Sequence, residues 1–527
     1  MSDNSILKST GIMTMTTMLS RASGLLRTWA MAFALGNTLL SSAYQVANNM
    51  PNVIYDFVAG GILSAAFLPV YLLQKEKLGR EGSDRFASNI LNIFLIVLGV
   101  LAVLATIFAP QVIATQTFTV SDENAVFETA VIFFRIFAIQ IVFYGLGGVL
   151  TGVLNANRIY GVPALAPVFN NVLVIISMFA YVPLSAIDSN LALIVLAVGT
   201  SLGVIVQFGA QIPTLIKSGF QYSPIIDFKD PALREVIRIA LPTFIYIIGT
   251  LVSFSCRNAF SLQTGDEGPS TILYAWMWYQ LPYGVVAVSI STAFLTEMSN
   301  AVAREDISSL RDYVRKGLRS TLFLIIPLAG MMFVLASPII QIFRAGAFSQ
   351  EDVTFVSTIL AYWVLSLPFY AGHMYFYRVF AALRQFMTFA LVSCLLNVIQ
   401  IGLYALLCQA NVLGLVGIPV ADFVYFALMF IILAIVLQKR IGSYGMSHII
   451  ILSAKALLAT LVAVGVVYVV LQLIPLQPSI LSGFIEIIVC GSLGLLIAFG
   501  ICKLLRVQEM EIVSNILGRV GGKLKRK

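Results

Sequence analysis

The segment LSRASGLLRT, residues 19–28, places two arginines inside a longer apolar stretch, residues 10–35, that can cross a bilayer. A charged side chain near the centre of a membrane costs at least about 2.5 kcal/mol. Arg21 and Arg27 are separated by about 9 Å along a helix, so both cannot reach the same membrane interface. The Ser and Thr residues around them fit a helix that faces a hydrated cavity. We therefore predict a membrane span that carries a cationic site.

The whole chain has the composition of a membrane protein. Of its 527 residues, 59% are hydrophobic and 11% are charged, which is too little polar surface for a soluble body. Apolar runs of about 20 residues or more recur along the chain and favour helices over barrel strands, whose residues alternate in polarity. No cleavage pattern follows the polar residues 1–9, so we expect the first helix to be retained.

We predict an all-α polytopic membrane protein with fourteen transmembrane helices. Their approximate spans are residues 10–35, 40–73, 87–114, 127–153, 162–184, 190–216, 234–262, 270–300, 318–343, 353–380, 385–408, 412–438, 446–474 and 479–505.

The loops between these spans alternate in their content of Lys and Arg. One set is rich in both residues, and the other set is nearly free of them, with Arg344 as the exception. This asymmetry predicts a multi-pass protein of the cytoplasmic membrane with both termini in the cytoplasm. The net charge of +8 belongs to this cytoplasmic surface, so the expected partner is the membrane and no nucleic acid.

Several classes of function are excluded by the sequence. No connection is long enough to form a soluble catalytic domain, and the sequence contains no GxxxxGK[ST] motif for ATP. The five cysteines form no CxxC pair, and there are two histidines, which argues against a zinc site. We therefore expect no enzyme, no metal and no cofactor.

Proline and glycine residues predict bends in the second and eighth spans, because proline removes a backbone hydrogen bond. The predicted hinge residues are Pro51, Gly60, Gly61, Pro282 and Gly284. Polar residues beside the first bend, and candidates for a substrate site, are Asn48, Asn49, Asn52 and Asp56. A weak sequence similarity between the second and eighth spans suggests two six-helix units.

Two further charges lie near the middle of predicted spans. Arg257 is in the seventh span and Asp422 is in the twelfth. A charged side chain at such depth is usually paired with a side chain of opposite charge. We expect the two residues to form an ion pair, or to share a site with Asn397.

Five segments together resemble the MurJ/MviN lipid II flippase family of the MOP exporter superfamily, in the form typical of high-GC Gram-positive bacteria. They are SRASGLLR (20–27), MPNVIYDFVAGGILSAAFLPVY (50–71), VLNANRIYGVPALAPVFNNV (153–172), YQLPYGVVAVSISTAF (279–294) and FRAGAFSQEDV (343–353).

The resemblance implies two six-helix lobes that form a V around a cationic cavity, with two further helices that make a groove for a polyprenyl tail. The implied boundaries are 1–217 for the first lobe, 218–440 for the second, 441–505 for the groove helices and 506–527 for a basic cytoplasmic tail. The implied substrate is lipid II, an undecaprenyl-diphosphate-linked peptidoglycan precursor. Alternating access would carry it from the inner to the outer leaflet. Arg21 and Arg27 match the two first-helix arginines to which diphosphate binding is attributed in the family.

This chain also departs from the family. Tyr55, Asp56 and Gly60 stand where many relatives have an arginine pair and a glutamate, and Met277 replaces an arginine of other branches. Arg257 then supplies the missing cation of the cavity. It also occupies a position where some relatives have a sodium-binding carboxylate, so we expect coupling to the membrane potential or another cation rather than to sodium.

Two other functions are compatible with the same residues. One is a flippase for a different polyprenyl-linked glycan. The other is a scaffold that binds lipid II for a synthase without transporting it. Cell-wall synthases are the expected protein partners of a protein that handles lipid II.

Overall fold

The structure, a computed structural model, describes residues 3–60, 63 and 66–511, without the side chains of residues 3–14, 17 and 242. The regular secondary structure of these residues is entirely helical. Among the residues described, ten helices are long and apolar enough to cross a membrane, and up to twelve if each of two bent helix pairs counts as one span. The all-α polytopic class is confirmed, whereas the count of fourteen spans is not.

The chain forms two compact units. Unit 1 comprises residues 1–270 and 346–348, and unit 2 comprises residues 271–345 and 349–527. The helices of unit 1 are α1 (Asp3–Leu35), α2 (Leu39–Tyr55), α3 (Phe67–Ile107), α4 (Ala109–Thr117), α5 (Ala125–Phe137), α6 (Gln140–Ala156), α7 (Gly161–Ser185), α8 (Ser189–Gly209), α9 (Ile212–Lys217) and α10 (Pro231–Leu262). Unit 2 begins within α11 (Gly268–Pro282) and continues with α12 (Val288–Ala303), α13 (Ile307–Val334), α14 (Ala336–Gln341), α15 (Gln350–Val364), α16 (Leu367–Ala382), α17 (Phe386–Leu407), α18 (Gly417–Ile441), α19 (Met446–Leu473) and α20 (Ile480–Leu504).

The seventh predicted span, which corresponds to α10, packs with unit 1. It contacts α3 and α4, and Gln116 of α4 donates to Ser255 Oγ (2.5 Å) and accepts from Asn258 Nδ2 (2.7 Å). The unit boundary therefore lies after residue 270, whereas the expected lobe boundary lies after residue 217. The lobes 1–217 and 218–440 and the groove helices 441–505 stay predictions. Residues 512–527 of the predicted basic tail lie outside the described residues.

The second predicted span, residues 40–73, is divided between two helices. It begins as α2, passes through a π-helix at Asp56–Gly60 and ends in the first part of α3. Gly79 then interrupts α3 with a φ of 71°, a conformation that glycine adopts at little steric cost. The remainder of α3 forms the third span.

Aromatic residues form the core of unit 1 where α2 meets α5. The Tyr44 ring lies edge-on to Phe133 and Phe137, with both centroid distances at 5.7 Å. The two phenylalanine rings stack on each other at 5.7 Å. Such pairs contribute about 0.5–1.5 kcal/mol each beyond their buried area, so they fix the register of α2 against α5.

The connection between α9 and α10, residues 218–230, is called here the strap. It has no regular helix of its own and is held along α3 by side-chain hydrogen bonds. Asn89 accepts from the Asp227 N–H (2.7 Å) and donates to the Asp227 carbonyl (2.9 Å). Asn92 donates to the Ile225 carbonyl (2.9 Å). Further anchors are Arg80 to the Ser218 carbonyl, Asp84 to the Gln221 N–H (3.1 Å) and Ser88 to the Ser223 N–H (3.1 Å).

In unit 2, α19 packs against α13, and α20 packs against both α19 and α14. The helix α13 is capped at its N-terminus by Asp306, whose carboxylate accepts from the Ser309 N–H (3.0 Å) and the Ser308 hydroxyl (2.7 Å). Hydrogen bonds from Ser309 and Ser308 stabilise the charged form and lower the pKa of Asp306 to about 2. This cap marks one end of the bundle, where α13 and α19 begin and α20 ends.

Candidate functional site

The two arginines of α1 lie in different environments. Because six residues correspond to about 600° of rotation, Arg21 and Arg27 are roughly 120° apart around the helix axis. Arg21 is exposed, and Arg27 is half-buried. Among the described residues of unit 1, neither guanidinium forms a salt bridge with a carboxylate. Pairing with Asp56, which would make these arginines purely structural, is therefore not observed.

Arg27 borders a cluster of neutral polar side chains in unit 1. It lies close enough to the hydroxyls of Tyr44 and Tyr144 to act on them electrostatically, and Asn52 lies beside the Tyr144 hydroxyl. The remaining contacts of the cluster join Tyr44 Oη to Thr200 Oγ1 (3.0 Å), Tyr144 Oη to Gln140 Oε1 (3.5 Å) and Gln140 Nε2 to Ser201 Oγ (3.1 Å).

This arrangement keeps a cation beside hydroxyl and amide groups. Hydroxyl and amide groups can hydrogen-bond an anion that the guanidinium attracts, and a guanidinium can bind two phosphate oxygens at once. The predicted residues Arg27 and Asn52 thus both act on the Tyr144 hydroxyl. Tyr44, Gln140, Tyr144 and Thr200 belong to the same cluster, although the sequence analysis did not select them.

The position of α1 is fixed by a polar contact with α7. Asn171 Nδ2 donates to Ser23 Oγ (2.9 Å), and Ser23 in turn donates to the Ser20 carbonyl (2.8 Å). The small, buried Ser23 allows the two helices to approach between the two arginines. This contact holds the arginine-bearing part of α1 in one orientation.

The predicted hinge in α2 contains an unusual backbone. Pro51 lies inside α2, and a π-helix follows at Asp56–Gly60. The Asp56 N–H is shared between the carbonyls of Asn52 and Val53. A β-carbon at Gly60 would lie 2.8 Å from Asp56 Oδ1, so glycine leaves room for that carboxylate. Gly61 lies outside the described residues.

The other predicted asparagines lie on the same helix. Asn48 and Asn49 are half-buried, and Nδ2 of Asn49 has no hydrogen-bond partner among the described residues. A buried N–H donor without an acceptor costs free energy, so this amide is suited to donate to a bound group.

A second π-helix, Tyr283–Ala287, directly follows Pro282 in unit 2 and includes Gly284. The Val288 N–H donates to the Tyr283 carbonyl five residues earlier. The second and eighth predicted spans, which are weakly similar in sequence, therefore also share a proline followed by a π-helical turn. π-Helical turns are rare and are frequent at functional sites.

Arg257 and Asp422, the predicted ion pair, lie in unit 1 and unit 2 respectively. The Arg257 guanidinium lies 5.1 Å from the centre of the Phe254 ring on the same helix. Asp422 is 1% exposed and accepts from Trp363 Nε1 (2.9 Å), Gln400 Nε2 (2.7 Å) and the Tyr404 hydroxyl. Their pairing stays a prediction.

Asn397, the third member of that predicted site, lies one turn before Gln400 on α17 and is 5% exposed. Its Nδ2 has no hydrogen-bond partner in the described part of the chain. Gln400 and Tyr404, which the sequence analysis did not select, follow Asn397 at helical spacing. In residues 3–511, as far as they are described, no group of three or more His, Cys, Asp or Glu residues could hold a metal ion.

Comparison with known proteins gives a consistent result. The family model "MurJ: Lipid II flippase MurJ" matches residues 31–488. A probable lipid II flippase MurJ of Rhizobium meliloti is 28% identical over 389 residues, which is 72% of this chain and 71% of the relative.

Solved structures share the fold. A lipid II flippase MurJ in an inward closed conformation has a TM-score of 0.77 at 24% identity and covers 94% of this chain and 99% of its own. An inward-facing multidrug resistance MATE transporter of the MOP superfamily has a TM-score of 0.66 at 16% identity and covers 82% and 98%. With the family model matched over most of its length, this chain belongs to the MurJ family.

Proposed function

We propose that this protein is a flippase for lipid II. It moves the undecaprenyl-diphosphate-linked precursor of peptidoglycan from the inner to the outer leaflet of the cytoplasmic membrane by alternating access, and it is not an enzyme. Family membership supports this proposal, as do the named relatives. The orientation with both termini in the cytoplasm is part of the proposal and rests on the distribution of Lys and Arg.

The observation that carries the proposal is the surroundings of Arg27. A diphosphate is too costly to move through hydrocarbon without compensating charge. Arg27 offers a permanent cation beside hydroxyl and amide groups, and it forms no salt bridge with a described carboxylate of unit 1. Charge-assisted hydrogen bonds from guanidinium to phosphate are strong and directional.

The experiment is lipid II flipping by purified protein in liposomes, followed by quenching of a fluorescent headgroup. Arg27→Ala should slow flipping by at least about tenfold, since hydrogen bonds to charged groups contribute about 1.5–3 kcal/mol. Arg27→Lys keeps the charge and should retain part of the activity. Arg135→Gln changes an exposed arginine of α5 and is the matched control.

Wild-type activity in Arg27→Ala would contradict the assigned role. Binding of lipid II without any flipping by the wild-type protein would instead identify a scaffold. Faster flipping of another polyprenyl-linked glycan in the same liposomes would change the substrate assignment.

We further propose that the membrane potential drives the return of the empty, cationic protein. The potential contributes about 2.3 kcal/mol per charge per 100 mV, which is enough to bias a conformational cycle. Transport at a fixed potential should then be equal in sodium and potassium buffers. Loss of transport on removing sodium would overturn this proposal.

The predicted pair of Arg257 and Asp422 is retained as a proposal. Exchanging the two charges, Arg257→Asp with Asp422→Arg, should restore activity that either single change removes. Failure of the exchange to restore activity would overturn the proposed pairing. Cell-wall synthases, which use lipid II at the outer leaflet, are the proposed protein partners.

A further inference from the structure

Asp56 carries a charge near the middle of the second predicted span, and the proposed diphosphate site does not use it. Its side chain is half-buried and belongs to the π-helix Asp56–Gly60. Among the described residues of unit 1, no Lys or Arg forms a salt bridge with this carboxylate, and none acts on its charge. Carboxylates inside a membrane are rare and, unless they are paired, mark substrate or ion pathways. Asp56 is therefore a candidate for binding a cationic group.

The backbone around Asp56 leaves its carboxylate room to accept hydrogen bonds. A β-carbon at Gly60 would lie 2.8 Å from Asp56 Oδ1, so a larger residue at position 60 would displace the carboxylate. An ionised carboxylate can accept about four hydrogen bonds. In the part of unit 1 that the structure describes, no group donates a hydrogen bond to the Asp56 carboxylate. Its acceptor positions are thus open to a ligand.

Two tyrosines connect Asp56 to the cluster around Arg27. The charge of Asp56 acts on the Tyr55 hydroxyl, and the charge of Arg27 acts on the Tyr144 hydroxyl. The centroids of the Tyr55 and Tyr144 rings are 6.1 Å apart. Unit 1 therefore places a cation and an anion beside one tyrosine pair, and the two charges do not form a salt bridge with each other.

The spacing along α2 brings the two charged positions within reach of one ligand. Asn52 lies beside the Tyr144 hydroxyl, and Asp56 follows it by four residues, which corresponds to about 6 Å along the helix axis. An ammonium group donates three hydrogen bonds and is attracted by the face of an aromatic ring such as that of Tyr55. A molecule with both a phosphate and an ammonium group would compensate Arg27 and Asp56 together.

We propose that Asp56 binds the free primary amine in the peptide of the lipid II headgroup. This inference rests on the proposed function, in which Arg27 binds the diphosphate. The peptide of a peptidoglycan precursor carries such an amine, because cross-links form through it. Peptide and diphosphate are attached to the same sugar, so both can reach side chains on neighbouring turns. Charge-assisted hydrogen bonds between ammonium and carboxylate are strong. Asp56 thus selects the substrate by its peptide, whereas the diphosphate is common to all polyprenyl-diphosphate glycans.

The experiment compares two unlabelled ligands, lipid II and lipid II acetylated on the peptide amine. Acetylation removes the positive charge and leaves the diphosphate intact. Native mass spectrometry of the full-length protein in detergent measures the dissociation constant of each ligand. The wild type should bind lipid II at least about tenfold more tightly than the acetylated form. Asp56→Asn keeps the size of the side chain without its charge and should bind both forms with equal affinity.

Two further variants separate the amine site from the diphosphate site. Asp122→Asn removes an exposed carboxylate from a loop of unit 1 and should keep the wild-type preference for the free amine. Arg27→Ala should weaken the binding of both ligands by a similar factor, because both contain the diphosphate, and should leave the ratio of their dissociation constants unchanged.

Equal affinity of the wild type for the two ligands would overturn the amine site, and this comparison requires no variant. An undiminished preference in Asp56→Asn would overturn it as well. In both cases lipid II still binds, so the proposed function stands. Failure of the wild type to bind either ligand would instead contradict the proposed function, and the amine site with it.

Discussion

For Arg27, the sequence predicts the depth of the charge in the membrane but not the residues that surround it. Its depth within α1 could be predicted, because a charge inside an apolar run is unusual. Its neighbours could not, since Tyr144 of α6 and Tyr44 of α2 meet it only through tertiary packing. Arg21, although close in sequence, is exposed on another side of the helix. Residue type and spacing thus identified the cation but not the cluster around it.

Asp422 provides a residue-level test of stability. Tyr404→Phe removes one hydrogen-bond donor to Asp422 and leaves a buried carboxylate less satisfied. We expect a loss of about 1–3 kcal/mol in the free energy of unfolding. Thermal unfolding in detergent measures this loss.

Tyr468→Phe is the control for that change, because this tyrosine of α19 is 57% exposed. Equal unfolding temperatures for Tyr404→Phe and the wild type would show that the hydroxyl contributes nothing to the Asp422 site.

At the level of elements, the packing of the strap along α3 can be predicted from the sequence only in part. Asp84, Ser88 and Asn92 follow one another at intervals of four residues and therefore lie on one face of a helix. That pattern indicates a polar face, but not what covers it. The strap was expected to be a loop, and its alignment along this face depends on backbone groups that a sequence does not display.

Asn89→Ala tests how the strap is held. The change removes both hydrogen bonds to Asp227, so the strap should open more often. Trypsin should then cleave after Lys229 at least about fivefold faster than in the wild type. Mass spectrometry of the fragment that ends at this residue measures the rate.

Asn300→Ala, at an exposed position near the end of α12, should leave cleavage after Lys229 unchanged. The same rate in Asn89→Ala and in the wild type would mean that the other anchors hold the strap alone.

For the whole molecule, hydropathy identified the class correctly but not every boundary. The second predicted span failed as a single helix because Pro51, the π-helix and Gly79 divide it, and each effect is local to the backbone. Long helices such as α18 and α19 agree with their predicted spans within a few residues, since no proline or break interrupts them.

Membrane orientation is a prediction at this scale. Tags at the two ends of the chain should be accessible to protease only in permeabilised cells, because the loops on their side hold most of the Lys and Arg. A tag inserted at Asp122, in a loop without basic residues, should be digested in intact cells. Digestion of either terminal tag in intact cells would reverse the assigned orientation.

The π-helices at Asp56–Gly60 and Tyr283–Ala287 each accommodate one residue more than an α-helical turn does. The position of such an extra residue can shift along the helix without unfolding it. When the surplus moves past a residue, that residue rotates by about 100° around the axis while its hydrogen bonding is renewed on the other side. Each unit therefore contains a helix whose side chains can be rotated by moving its π-helical turn along the chain. This costs far less free energy than unfolding the helix.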